Sequence, residues 1–182
     1  MPLDDDDVLD PETAALNELL RQLEAGASPN AVRAGVREHW DGCTSASLLL
    51  ALAERMAPRR DYLLALAACA RDALPVRSAP APELASALDV VENCARGEAT
   101  PQDARDAAGR AYTTVSRLVA GVDDEVGMAT VEACDLAAGD RFEPYGPDPA
   151  FRAAWALGQR DGRTAAHQAR LADLVRRFIQ PP

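Results

Sequence analysis

Four times in this chain a helix-capping residue stands directly before a proline: Asp10-Pro11, Ser28-Pro29, Thr100-Pro101 and Asp148-Pro149. Each pair marks a helix start for a physical reason. The Asp, Ser or Thr side chain accepts a hydrogen bond from the otherwise unpaired N–H groups of the first turn. The proline brings a φ already suited to the first helical position, where its missing N–H costs nothing. Four such starts in 182 residues leave little room for a sheet. Composition points the same way: alanine is abundant, Ile179 is the only isoleucine, and aromatic residues make up 4%. With few β-branched and aromatic side chains, strands would have little to pack with. The chain reads as all-α.

Between these starts apolar residues recur at helical spacing. Leu16, Leu19, Leu20 and Leu23 share one face of a helix from Pro11 to about Ala25, and Val32, Val36 and Trp40 share one face of a second. Ser45–Ala57 and Arg60–Leu74 are apolar nearly all round, which predicts two well-buried helices, the first central in the core. The stretch 75–82, PVRSAPAP, reads as an extended connector. Helices follow over Leu84–Arg96, Pro101–Ala120 and from Asp123 to about Ala138, with 139–147 a loop. From Pro149 to Ile179 the chain is one long helix or two, since Gly158 and Gly162 weaken its middle. Short connections favour antiparallel neighbours. The expected fold is an antiparallel multi-helix bundle or short helical array of about seven to nine helices. It forms one all-helical domain over 10–182, with 75–82 as a candidate internal boundary and residues 1–9 as a flexible acidic tail.

The net charge is −10, distributed as −7 over residues 1–26, −7 over 27–149 and +4 over 150–182. An acidic chain repels phosphates, which argues against nucleic acid as a ligand. All 19 basic residues are arginine. The N-terminal sequence MPLDDDDVLD is unlike a secretion signal, and no apolar run nears the roughly 18 residues a membrane span needs. A cytoplasmic protein with no membrane association is expected. Cys43, Cys69, Cys94 and Cys134 lie 25 to 40 residues apart without a C-x-x-C pair, so they read as reduced core residues.

Catalytic signatures are scarce. His39, Asp41 and Cys43 are close enough in sequence for a Cys–His pair with an orienting carboxylate, but the segment equally suits a helix C-terminal histidine followed by a turn and a core cysteine. His167 lies among Arg163, Gln168 and Arg170 on what reads as a solvated polar face. Two histidines in such contexts make no zinc or iron site. Asp4–Asp7 lacks the alternating ligands and glycine of a calcium loop. No phosphate-binding glycine series occurs. The expectation is no enzyme, no metal and no cofactor.

The candidate contact residues are of two kinds. Asp103, Asp106, Asp123, Asp124 and Glu125 are expected to form an acidic patch for a protein partner, or simply to complement helix dipoles. Phe142 and Tyr145, near Phe151 and Trp155, concentrate scarce aromatics in one loop, as a binding rim or as a plug over the core.

One likeness rests on the order ACARDAL (68–74), ALDVVENCARGEATPQDARDAA (87–108) and a final helix with Gln168 and LADLVRR. It resembles a group of uncharacterised Ala-rich helical proteins of planctomycetes and myxobacteria, and is similar to the proposed immunity proteins of bacterial polymorphic-toxin systems. The matching positions are Cys69, Arg71, Ala87, Glu92, Ala95, Gly97, Glu98, Thr100 and Ala104, within residues 60–138, with an echo near 165–180. These are packing and capping positions, so the resemblance implies a fold and a class of partner rather than a site. It implies a non-enzymatic binding protein that neutralises a toxin domain. The alternative is a helical adaptor in a larger bacterial signalling or defence assembly, docking through 139–155 and the basic final helix, with 149–182 separable from a folded core. Self-association is compatible with either.

Overall fold

The computed structural model describes residues 10–74, 82–117, 122–139, 148–159 and 162–181. The acidic tail 1–9 and the aromatic pair Phe142 and Tyr145 lie outside them. Among the described residues the chain forms nine helices and no strand: α1 (Pro11–Glu24), α2 (Pro29–His39), α3 (Ala46–Met56), α4 (Arg59–Ala73), α5 (Pro82–Arg96), α6 (Pro101–Val115), α7 (Val122–Ala138), α8 (Pro149–Gly158) and α9 (Thr164–Phe178).

All four cap–proline pairs start helices. Asp10 accepts from the Thr13 amide at 2.8 Å, Ser28 from Ala31 at 3.3 Å, and Asp148 from Phe151 at 2.8 Å. Thr100 accepts from Asp103 N–H, while the Asp103 carboxylate accepts from the Thr100 N–H, a reciprocal capping box. Pro82 belongs to α5 rather than to the connector, as the first residue of that helix. The α5–α6 corner is fixed by Gly97 at φ +75°. Its amide reaches Cys94 O and the next amide, Glu98, reaches Asn93 O, satisfying the carbonyls α5 leaves open. α6 ends at Val115, short of the expected Ala120. Its last turn is β-branched, and the Thr113 and Thr114 hydroxyls bond back to the carbonyls four residues earlier. The C-terminal segment resolves into two helices. Gly162 takes φ +71° between them, and Gly158 meets the Thr164 backbone so closely that a Cβ would sit 2.8 Å from it.

α4 and α7 hold the centre. α4 packs against α3, α5, α7, α8 and α9, and α7 against α4, α5, α6 and α8. From Val126 to Ala138 every residue of α7 is buried except Met128. α3 lines this centre from one side, on α9, α4, α8 and α1. The α1–α2 hairpin is peripheral and reaches the rest mainly through α1 on α3. One continuous apolar cluster draws on all nine described helices, with Trp40, Leu49, Leu63, Leu66, Leu88 and Leu171 among its large members. α8 and α9 contribute Ala153, Leu157, Leu171 and Val175 to it, so 149–182 is part of the core and not a separable docking piece.

Small residues set the spacing. α6 turns Ala104, Ala107, Ala108 and Ala111 inward, and α7 meets it at Gly127. A Cβ added at Gly127 of α7 would fall 2.3 Å from Val115 Cγ2 of α6. Gly127→Ala should therefore destabilise the fold by roughly 1–3 kcal/mol despite its better helix propensity, and Val115→Ala should recover part of that loss in a double-mutant cycle. The same change at Gly109, where nothing lies within 4 Å, should stabilise by about 0.5–1 kcal/mol. Denaturant titration of the four variants reads both signs.

Candidate functional site

α7 is central, yet it carries Thr130, Glu132 and Asp135, all buried. The Thr130 hydroxyl returns to Val126 O within its own helix. Glu132 reaches out to α8: Oε1 accepts from Arg152 Nε at 2.6 Å and Oε2 from the Asp148 amide at 3.1 Å. The other arm of the Arg152 guanidinium donates to Glu125 at 2.5 Å. α7 and α8 are thus joined by two α7 carboxylates, Glu125 and Glu132, on the one guanidinium of Arg152. Burial pushes the Glu132 carboxyl above its ordinary range, against the pull of Arg152. Burial does the same to Asp148, against hydrogen bonds from the Phe151 amide and the Ser47 hydroxyl and the charge of Arg152. Sequence reasoning missed Glu132, because an acidic residue reads as surface unless its partner 20 residues on is recognised.

The five acidic positions expected to form one patch do not. α6 and α7 are an antiparallel pair, with Gly127 of α7 beside Val115 of α6. Asp123, Asp124 and Glu125 therefore sit at the C-terminal end of α6, whereas Asp103 and Asp106 sit at its N-terminal end, about 18 Å away along a helix. Asp103 belongs to the opposite end of α7: it and Arg59 both act on Cys94, and Arg59 bonds the closing carbonyls of α7. Four of the five have partners within the chain. Asp103 completes the capping box, whose hydroxyl and amide bonds hold its carboxyl below the ordinary range. Glu125 pairs with Arg152. Asp106 accepts from Gln102.

The polar residues of α9 are not simply solvated. Gln168 Oε1 accepts from the amides of Ala46 and Ser47 and its Nε2 donates to Ser47 Oγ, so α9 caps the start of α3. Arg176 donates to the carbonyls of Trp40 and Cys43 and fastens the α2–α3 turn. Arg170 pairs with Asp72 of α4. Arg59 donates to Leu136 O and Ala137 O, at 3.1 and 2.8 Å, closing the C-terminus of α7.

His39 does not face a nucleophile. Its Nδ1 lies 2.5 Å from Glu12 Oε2, linking α1 to α2. Cys43 sits with its sulfur 3.6 Å from Thr13 Oγ1 and from Ser45 O. All four thiols are free. Burial raises Cys43 and Cys69 and pushes Cys134 up to about 12, so none favours the thiolate. Among the described residues no group of three or more His, Cys, Asp or Glu could hold a metal ion, and no helix is long and apolar enough to cross a membrane. Phe151 and Phe178 are exposed at 52% and 36%, and Tyr112 at 58%. Comparison with protein-family models, with characterised proteins and with solved structures gives no match.

Cys94 is the one cysteine not fully buried. A soluble aromatic disulfide reagent should therefore modify a single thiol per folded chain, mapped to Cys94 by mass spectrometry, with the other three reacting only on unfolding. Fast modification of Cys43 in the folded protein would contradict its packing.

Proposed function

We infer that the protein is a non-enzymatic, cytoplasmic binding protein, most concretely an immunity protein that neutralises a cognate toxin domain by presenting acidic surface to a basic cleft. The observation that carries this reading is where the cations are. Arg59 and Arg176 are turned to backbone carbonyls, and Arg71, Arg96, Arg152 and Arg170 to carboxylates of the same chain. Arg37, Arg105 and Arg163 also have interaction partners. With a net charge of −10 and many of its arginines paired within the chain, the chain meets a partner with an acidic field. Such a field steers a basic partner and repels nucleic acid. The likeness of residues 60–138 to proposed immunity proteins supports the same reading, and self-association stays compatible with it.

A helical adaptor is the second reading, and the exposed Phe151 and Phe178 favour it. Because α8 and α9 are core elements, point changes replace truncation as its test: Phe151→Ser with Phe178→Ser should abolish capture of an assembly subunit while leaving the helical signal intact.

On the immunity reading, co-expression with the product of the neighbouring gene protects the cell, and the two proteins co-purify. Asp106→Arg and Asp124→Arg probe the two acidic ends separately. One of them should weaken the complex at least about tenfold, mainly through a slower on-rate and a flatter salt dependence. No protection and no complex, or a complex indifferent to both reversals and to salt, would overturn the reading.

A further inference from the structure

α6 lies against α5 and α7. Its alanine row and Val115 face inward, and the opposite side of the helix is open. Gln102, Asp106, Gly109, Thr113 and Ser116 recur along that open side at alternating steps of four and three residues, and all five are exposed. This is the spacing at which one helix meets another along a seam.

Two residues of the open side have no explanation within the chain. Gly109 sits in the middle of α6, where glycine is among the costliest residues. Neither a positive φ nor a close neighbour calls for it, since a Cβ there would meet nothing within 4 Å. Tyr112, one turn on, is 58% exposed, the most of any large hydrophobic side chain among the described residues. A glycine lets a second backbone come close, and a tyrosine is the kind of side chain that anchors a contact once covered. The hydroxyls between them are already met inside the helix. Thr113 donates to the Gly109 carbonyl and Ser116 to the Thr113 carbonyl, so covering the seam strands neither donor.

The charges select the occupant. Asp106 precedes Gly109 by one turn, and the exposed Arg117 follows Thr113 by about one turn. A second copy laid antiparallel, about a two-fold axis beside Tyr112, sets Asp106 of each copy opposite Arg117 of the other. It also brings the two tyrosines together near the axis and seats Gly109 against Thr113 and Ser116 of the second copy. A parallel pair would oppose aspartate to aspartate and arginine to arginine. We propose that the open side of α6 is a homodimer interface, in which two copies pair antiparallel through Asp106–Arg117 contacts around a Gly109–Tyr112 centre. Asp106 exchanges its exposed bond from Gln102, 2.9 Å long, for a cation. Of the acids that α7 brings to the Arg117 end, Asp123 and Glu125 have partners within the chain, and Asp124 belongs to α7, off the α6 seam. The same patch meets itself, so association closes at two copies. One helix per copy makes a small interface, and the pairing is weak and concentration-dependent. It needs no toxin, so it stands or falls separately from the immunity reading.

The test is sedimentation velocity on the purified full chain alone, from about 5 μM to about 500 μM, the range of weak specific pairing. The wild-type mass should rise toward twice that of one chain, and less so at high salt. Asp106→Arg and Arg117→Asp should each weaken pairing at least about tenfold, because each opposes like charges at both ends of the seam. Mixed in equal amounts, these two variants should pair again, since every end contact then joins an arginine to an aspartate. The double swap in one chain should pair as well. Gly109→Leu has room within its own chain, so it should keep the wild-type helical signal and stay monomeric. A wild-type chain that is monomeric throughout overturns the proposal, as does association indifferent to the charge swaps or to Gly109→Leu. If the free chain stays monomeric and Gly109→Leu instead weakens capture of the toxin, the face belongs to that partner and the homodimer is overturned.

Discussion

The close approach of α6 and α7 is the constraint on which the rest of this structure depends. Alanine fills the buried face of α6, and Gly127 of α7 gives way where Val115 enters. Helices faced with such small side chains lie near the short end of the usual interaxial range. This lets α7 be enclosed by α4, α5, α6 and α8. A small-residue core has a cost. Each buried methyl contributes only about 0.8 kcal/mol, so a fold built on alanine gains less from area alone than one built on leucine and phenylalanine.

The helix ends make up part of that difference. In many bundles each helix end is capped by its own residues, but here three ends are also capped from distant helices. Arg59 closes α7, Gln168 opens α3, and Arg176 holds the α2–α3 turn. Each contact satisfies backbone groups that would otherwise be stranded near the core, and each ties together helices far apart in sequence. The Arg152 cluster does the same for α7 and α8. These contacts also engage much of the basic complement, leaving an acidic surface. Capping and surface field therefore share a cause: arginines such as Arg59 and Arg176 hold helix ends of the same chain.

Much of the fold is legible in the chain, because its signals are local. A capping side chain beside a proline acts within one turn, and all four such pairs start helices. Apolar periodicity likewise identifies Leu16, Leu23, Val32, Val36 and Trp40 as core. What stays hidden is long-range. Nothing near Glu132 indicates that Arg152 will cover it, and Gln168 reads as a surface residue until α3 is placed beneath it. The single acidic patch failed for a reason the sequence does contain: a tight helical hairpin sends the first turns of its two helices to opposite ends. The candidate contact residues stand out in the chain by charge and aromatic character alone. Charge says what kind of partner a surface suits, and it does not say which acids the fold will keep for itself, as it keeps Asp103 and Glu125.

Native-state hydrogen exchange, read residue by residue, tests the central claim that an alanine-faced α7 is the axis of the fold. Amides from Val126 to Ala138 should exchange only through global unfolding, with protection matching the full stability, while the peripheral α1–α2 hairpin opens first through a smaller fluctuation. If α7 amides exchanged as early as those of α1 and α2, the helix enclosed by four neighbours would not be the one that holds the protein together.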